Sequence, residues 1–125
     1  MGYYDTIHVV KGDDKPEINL TLKDANTAAG SLVLDPNDPD TWAAIDISNP
    51  TIRVKFRKLG STTVLDTMTC LKISPYTNGE CQMAWNLTTL DVEPGIYEGE
   101  IELEYSDGRK FTLFDKLKFK VRDEF

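Results

Sequence analysis

Pro94-Gly95-Ile96-Tyr97-Glu98-Gly99-Glu100-Ile101-Glu102-Leu103-Glu104-Tyr105, followed by Ser106-Asp107-Gly108 and a second run from Arg109 to Arg122, is the stretch from which the fold is read. Tyr97, Gly99, Ile101, Leu103 and Tyr105 share one parity, and Glu98, Glu100, Glu102 and Glu104 share the other. A strict period of two is the signature of a half-buried β-strand, because successive side chains point to opposite faces of a sheet. The Asp107-Gly108 step admits the positive φ that a tight hairpin requires. The stretch therefore predicts two long antiparallel neighbours, over residues 96–105 and 109–122.

The same alternation recurs upstream. Candidate strands cover residues 3–10, 16–23, 51–57, 62–73 and 80–87, and Ile52, Val54 and Phe56 form the inward face of the third of these. Met83 and Trp85 are expected in the core. Residues 24–42 are rich in Asp, Asn, Pro and Gly and read as a long loop, with a short strand at 32–34. No segment keeps apolar residues at helical spacing, so helices should be negligible. About seven short antiparallel strands in one compact chain predict an all-β fold: an immunoglobulin-like β-sandwich with Greek-key connections, one domain over residues 1–125.

Composition narrows the function. The 125 residues carry 14 Lys and Arg against 21 Asp and Glu, a net charge of −7. An acidic surface repels the phosphates of nucleic acids and anionic membranes, so neither is an expected partner. No targeting or membrane-spanning run is present, and production in a cytoplasm is expected. Cys70 and Cys81 lie outside any CxxC spacing and are expected as free thiols in such a compartment. With His8 as the single histidine, neither a His-rich metal site nor a catalytic triad is expected. The glutamates of strand 96–105 lie on an open sheet, where nothing would desolvate one of them and raise its pKa for acid–base chemistry. The chain reads as a non-enzyme with no cofactor and no metal.

Two constellations carry physical arguments. Gly95 and Tyr97 stand where a tyrosine corner is expected: a Tyr near the start of strand F returning its hydroxyl to upstream backbone. Four glutamates in a row, at ~7 Å intervals, repel one another unless basic neighbours flank them. Arg53, Lys55 and Arg57 on one side and Lys116, Lys118, Lys120 and Arg122 on the other supply those flanks if the strands adopt the order C-F-G. The plain reading is a solvated face of cross-strand ion pairs. The functional reading is a polar docking face for an identical or different subunit, in which case reversing Arg53, Lys55 and Arg57 blocks assembly and leaves the monomer folded. Asp35-Pro36-Asn37-Asp38-Pro39-Asp40 reads as a stiff acidic loop, lacking the glycine and closing glutamate of an EF-hand. Tyr3, Tyr4, Tyr76 and Trp42 would form a sugar-stacking platform if exposed together. Two Asn-x-Thr matches, at Asn19 and Asn86, carry no weight without a secretory signal.

In order and spacing the segments resemble the N-terminal immunoglobulin-like domain of phage baseplate upper proteins and related tail or fibre attachment modules. The similar stretches are Val10–Asp13 leading into Ile18–Leu22, then Ile45–Arg57, then Pro94–Ile101 with Asp107-Gly108 and Phe111–Leu113. The resemblance implies a virion structural protein, made in the host cytoplasm, that binds other tail, baseplate or fibre subunits and sits in a homo-oligomeric ring. Its candidate contacts are the charged C-F-G face, the acidic loop and the Tyr3-Tyr4 segment. Such domains usually open a longer polypeptide, whereas this sequence ends just after its last strand and is not expected to be a whole fibre. The insertion from Ala28 to Trp42 is longer than the pattern. A capsid decoration or neck protein of the same fold is one alternative, and a carbohydrate or host-surface binding module is another.

Overall fold

The computed structural model describes residues 6–113 and 115–125. In chain order its strands are β1 (Ile7–Val10), β2 (Ile18–Thr21), β3 (Lys23–Ala28), β4 (Trp42–Ala44), β5 (Thr51–Lys58), β6 (Asp66–Lys72), β7 (Glu80–Met83), β8 (Gly95–Glu104), β9 (Lys110–Thr112) and β10 (Leu117–Arg122). Among the described residues there is no α-helix, only 3-10 turns at Pro39–Thr41 and Tyr76–Asn78. The chain is nearly all β.

One curled sheet runs in the order β1-β10-β8-β5-β6-β7-β2, with β9 continuing beside β8, and β3 and β4 form a separate ribbon. The curl is made in β6. Its first half pairs with β5, Arg53 opposite Thr69 and Phe56 opposite Asp66, while Cys70–Lys72 pair with β7. Changing partner midway lets the twisted sheet turn back on itself, so that β6-β7-β2 lies across β10-β8-β5 and both bury their inner faces in one core. Phe56 sits at its centre. Its ring stacks on Tyr97 at 5.0 Å and meets Trp85 edge-on at 5.7 Å, while Phe119 approaches both Phe56 and Trp85. Gly99, directly opposite Phe56, leaves room for these rings; a Cβ there would lie 3.0 Å from both Phe119 and Val54.

β8 is paired from Tyr97 to Glu104 by β5 and on its other side by β10 and then β9. The run expected as one strand over 109–122 is thus two strands. Thr112 lies opposite Glu102 but Leu117 opposite Gly99, so two extra residues are accommodated between them. An insertion of two preserves the alternation of faces, and a period-two reading passes straight over it.

Other expectations are corrected. Residues 32–34 form no strand, and Leu32 and Val33 are exposed. The ribbon arises instead from Lys23–Ala28 pairing with Trp42–Ala44. The strands expected over 16–23, 62–73 and 80–87 are shorter, at 18–21, 66–72 and 80–83. Pairing is not wholly antiparallel, since β1 runs parallel to β10. The first strand was expected from residue 3, and residues 3–5 lie outside the described residues.

At the start of β8 the Tyr97 hydroxyl donates to the carbonyl of Glu93 at 2.6 Å, and the residue is 2% exposed. Burial is the main reason its phenol pKa is raised, so the hydroxyl keeps its proton. Tyr97→Phe leaves the ring stack in place and removes only this bond. The expected loss is about 1 kcal/mol, read as a melting temperature about 3–6 °C lower; an unchanged melt would show that the bond does not anchor the strand.

Candidate interaction face

The outer face of β5, β8 and β10 gathers most of the charged residues singled out in the sequence. In the β5–β8 ladder Arg53 lies opposite Glu102, Lys55 opposite Glu100 and Arg57 opposite Glu98. The ion pairs follow this register or step one pleat along it: Arg53 Nη1 to Glu104 Oε1 at 2.7 Å, Lys55 Nζ to Glu102 Oε2 at 2.9 Å, and Arg57 Nη2 to Glu98 Oε1 at 3.4 Å. From the segment before β10, Lys116 Nζ reaches the other oxygen of Glu98 at 3.8 Å. The acidic row is therefore neutralised mainly by β5. The hydrogen bond from Lys55 to Glu102 holds the lysine pKa above its ordinary value, and the one from Arg53 holds Glu104 below its own.

This face is only partly wet. Glu102 is 8% exposed, so its carboxylate depends on Lys55 more than a surface pair would. Reversing Arg53, Lys55 and Arg57 together would set three carboxylates against four. The expectation that the monomer would remain untouched is withdrawn on that ground.

β10 behaves differently. Lys118 faces Glu98 across the ladder and Lys120 faces Ile96, yet both side chains are exposed and neither makes an ion pair among the described residues. On the other side β1 sets His8 beside Lys120 and Val10 beside Arg122. A shallow, mainly apolar groove is lined there by His8, Val9, Val10, Lys120 and Arg122. The alternation of 109–122 pointed to these cations, but not to the parallel strand that adds an apolar strip beside them. Tyr3 and Tyr4 lie outside the described residues.

The acidic loop is rigidly built. Trp42 Nε1 donates to the Asp35 carbonyl at 2.9 Å and Thr41 Oγ1 donates to the Asp38 carbonyl at 2.8 Å. Asp35 and Asp38 accept from the backbone N–H groups of Asn37 and Asp40. Trp42 is thereby 4% exposed beneath its own loop, which removes it from the expected aromatic platform. Among the described residues no group of three or more His, Cys, Asp and Glu side chains is placed to hold a metal. Cys70 and Cys81 are free and buried on adjacent strands, and the Cys70 thiol pKa is raised by its hydrogen bond to Cys81 and by burial.

One polar cluster escaped the sequence reading. Asp66, at the start of β6, accepts from Thr89 Oγ1 at 2.5 Å, from Asn86 Nδ2 at 3.2 Å and from the Thr67 N–H at 2.8 Å. It ties the 86–91 segment to the sheet. Partners 20 and 23 residues away leave no local signature in sequence.

No family model matches this sequence, and no curated protein matches it. Among solved structures, CopC from Methylosinus trichosporium OB3b aligns over 96% of this chain and 86% of that one, at 10% identity and a TM-score of 0.44. A likeness of that degree carries no argument about function.

Lys55→Glu should destabilise the monomer by about 1–3 kcal/mol, because it leaves a nearly buried carboxylate beside another. The swap Lys55→Glu with Glu102→Lys should recover most of that loss in a thermal melt. Failure of the swap to recover anything would assign the loss to packing. Asp66 gives a pH test. Burial raises its pKa, but the bonds from Thr89, Asn86 and Thr67 together outweigh that and hold it below 3.8. A depressed carboxylate contributes stability above its unfolded pKa and loses it as pH falls through the folded value. Asp66→Asn should therefore melt about 2–4 °C lower at neutral pH, with the gap closing below about pH 4. A gap constant with pH would show that the charge is irrelevant.

Proposed function

We propose that the chain is a non-enzymatic structural subunit of a bacteriophage virion, in a tail, baseplate or fibre-attachment ring, acting through protein–protein contacts. The fold proposed with it is an immunoglobulin-like Greek-key sandwich. The observation that carries the reading is the adjacency of strands. β5, β8 and β10 lie side by side, as the C-F-G order read from the charge pattern requires, and β2-β7-β6 would then be B-E-D. The bond from Tyr97 to Glu93 lies where a tyrosine corner belongs.

The arrangement suits a subunit that works by docking. A sheet cross-linked by Arg53–Glu104, Lys55–Glu102 and Arg57–Glu98 is a stiff platform, while the 35–40 loop and the β10 edge offer charge of opposite sign in exposed positions. Rigid partners lose little conformational entropy on binding, which favours ordered assembly.

The test is the copy number of this polypeptide, relative to the major capsid protein, in particles purified from a lysate of its source and measured by quantitative mass spectrometry. A handful of copies per particle is the expected result. Hundreds would transfer the subunit to capsid decoration, and absence from particles would reject a virion role.

A further inference from the structure

Lys118 and Lys120 project from β10 into solvent in a chain of net charge −7, without an ion pair among the described residues. Beside them lie His8 and Val10 of β1 and the apolar groove that these strands share with Arg122. Arg122 donates to the Asp123 carbonyl at 2.7 Å and lies 5.0 Å from the Phe125 ring, whereas Lys118 and Lys120 make no ion pair among the described residues. Among the described residues β1 ends the sheet, and no strand pairs with its outer edge.

Elsewhere the chain carries a surface of matching chemistry. Residues 31–40 expose Asp35, Asp38 and Asp40, none of which makes an ion pair among the described residues. Two apolar side chains precede them, Leu32 at 53% and Val33 at 86% exposure. Pro36, Pro39 and the bonds from Thr41 and Trp42 hold the loop in shape before it meets anything. No ion pair joins the loop to the lysines within the chain, among the described residues.

We propose that this chain associates with a second copy head to tail, residues 31–40 of one copy seated on the β1–β10 edge of the next. The aspartates meet Lys118 and Lys120, and Leu32 and Val33 cover the groove beside Val10. The chain's own charge argues for this occupant. Two copies of net charge −7 repel over most of their surface, and a stable contact must set acid against base. The paired β5–β8 face cannot supply the base, because its cations already hold the β8 glutamates. A contact between two different patches is heterologous, so it propagates into a ring where the rotation closes and into a filament where it does not. The inference rests on the structural-subunit reading for its setting.

Sedimentation velocity on the full chain tests it. Wild type should sediment as a mixture growing with concentration, and its apparent dissociation constant should rise about tenfold between low and high salt as the screening length shortens. Lys118→Gln with Lys120→Gln should be monomeric. So should Asp38→Asn with Asp40→Lys, where the first change keeps a side-chain oxygen to cap the turn. These side chains are exposed, and the melts of both variants should match wild type. The discriminating arm is an equimolar mixture of the two variants. Each retains one intact patch, so the mixture should form a one-to-one dimer and grow no further. A wild type that remains monomeric in low salt, association that survives either double variant, or a mixture that stays monomeric would each overturn the proposal. A chain found in particles but monomeric in solution sinks this inference alone, and one that self-assembles but is absent from particles sinks the virion reading alone.

Discussion

The contact of Phe56 with Trp85, Tyr97 and Phe119 is the constraint to which the rest of the molecule conforms. Phe56 belongs to β5, Tyr97 to β8 and Phe119 to β10, while Trp85 follows β7 on the opposite flank. A single ring therefore binds both halves of a sheet that is continuous through β6. The cluster also sets the composition around it. Gly99 must be small for the rings to meet, Tyr97 must turn its hydroxyl back to Glu93, and Trp85 Nε1 donates to the Pro16 carbonyl at 3.1 Å. Aromatic residues of this kind combine a large buried area with a polar tip that needs a partner. Here those tips anchor the chain where it enters β8 and β2.

Much of this was legible because burial in a two-sided sheet imposes a parity that survives in sequence. Ile52, Val54 and Phe56 face inward opposite Leu103, Ile101 and Gly99, as alternation on both strands demands. Once two parities are known, the charges on the reverse faces follow, and the β5–β8 ion pairs are a consequence of the core rather than a separate feature. What parity cannot see is an even displacement. The two residues inserted between β9 and β10 leave every face unchanged and still move Lys116–Lys120 relative to Glu100 and Glu102. That displacement sets Lys118 opposite Glu98, where a continuous strand would have set Lys116.

The ribbon and the polar clamp were illegible for a different reason. Lys23–Ala28 has no apolar alternation, and its strand character comes from pairing with Trp42–Ala44 across the long loop. The Trp42 side chain, a candidate member of an exposed aromatic platform, is buried by the loop whose Asp35 carbonyl its indole N–H holds. Asp66 gathers Thr89, Asn86 and the Thr67 N–H only once β6 and the 86–91 segment are brought together. Each depends on contacts remote in sequence, for which periodicity has no signal.

These two classes of feature have opposite consequences for what the surface does. Where sequence parity governs, on β5 and β8, cations and carboxylates are matched within the chain and the charge is consumed in holding the sheet. On β10 and in the 31–40 loop, charge is left facing solvent: basic at one place and acidic at the other. A residue already held by a partner gains little from a second, because the new contact must first replace the old one. The free charges gain the whole of it. The β10 edge and the 31–40 loop, and not the internally paired β5–β8 face, are therefore where an assembling subunit would place its contacts.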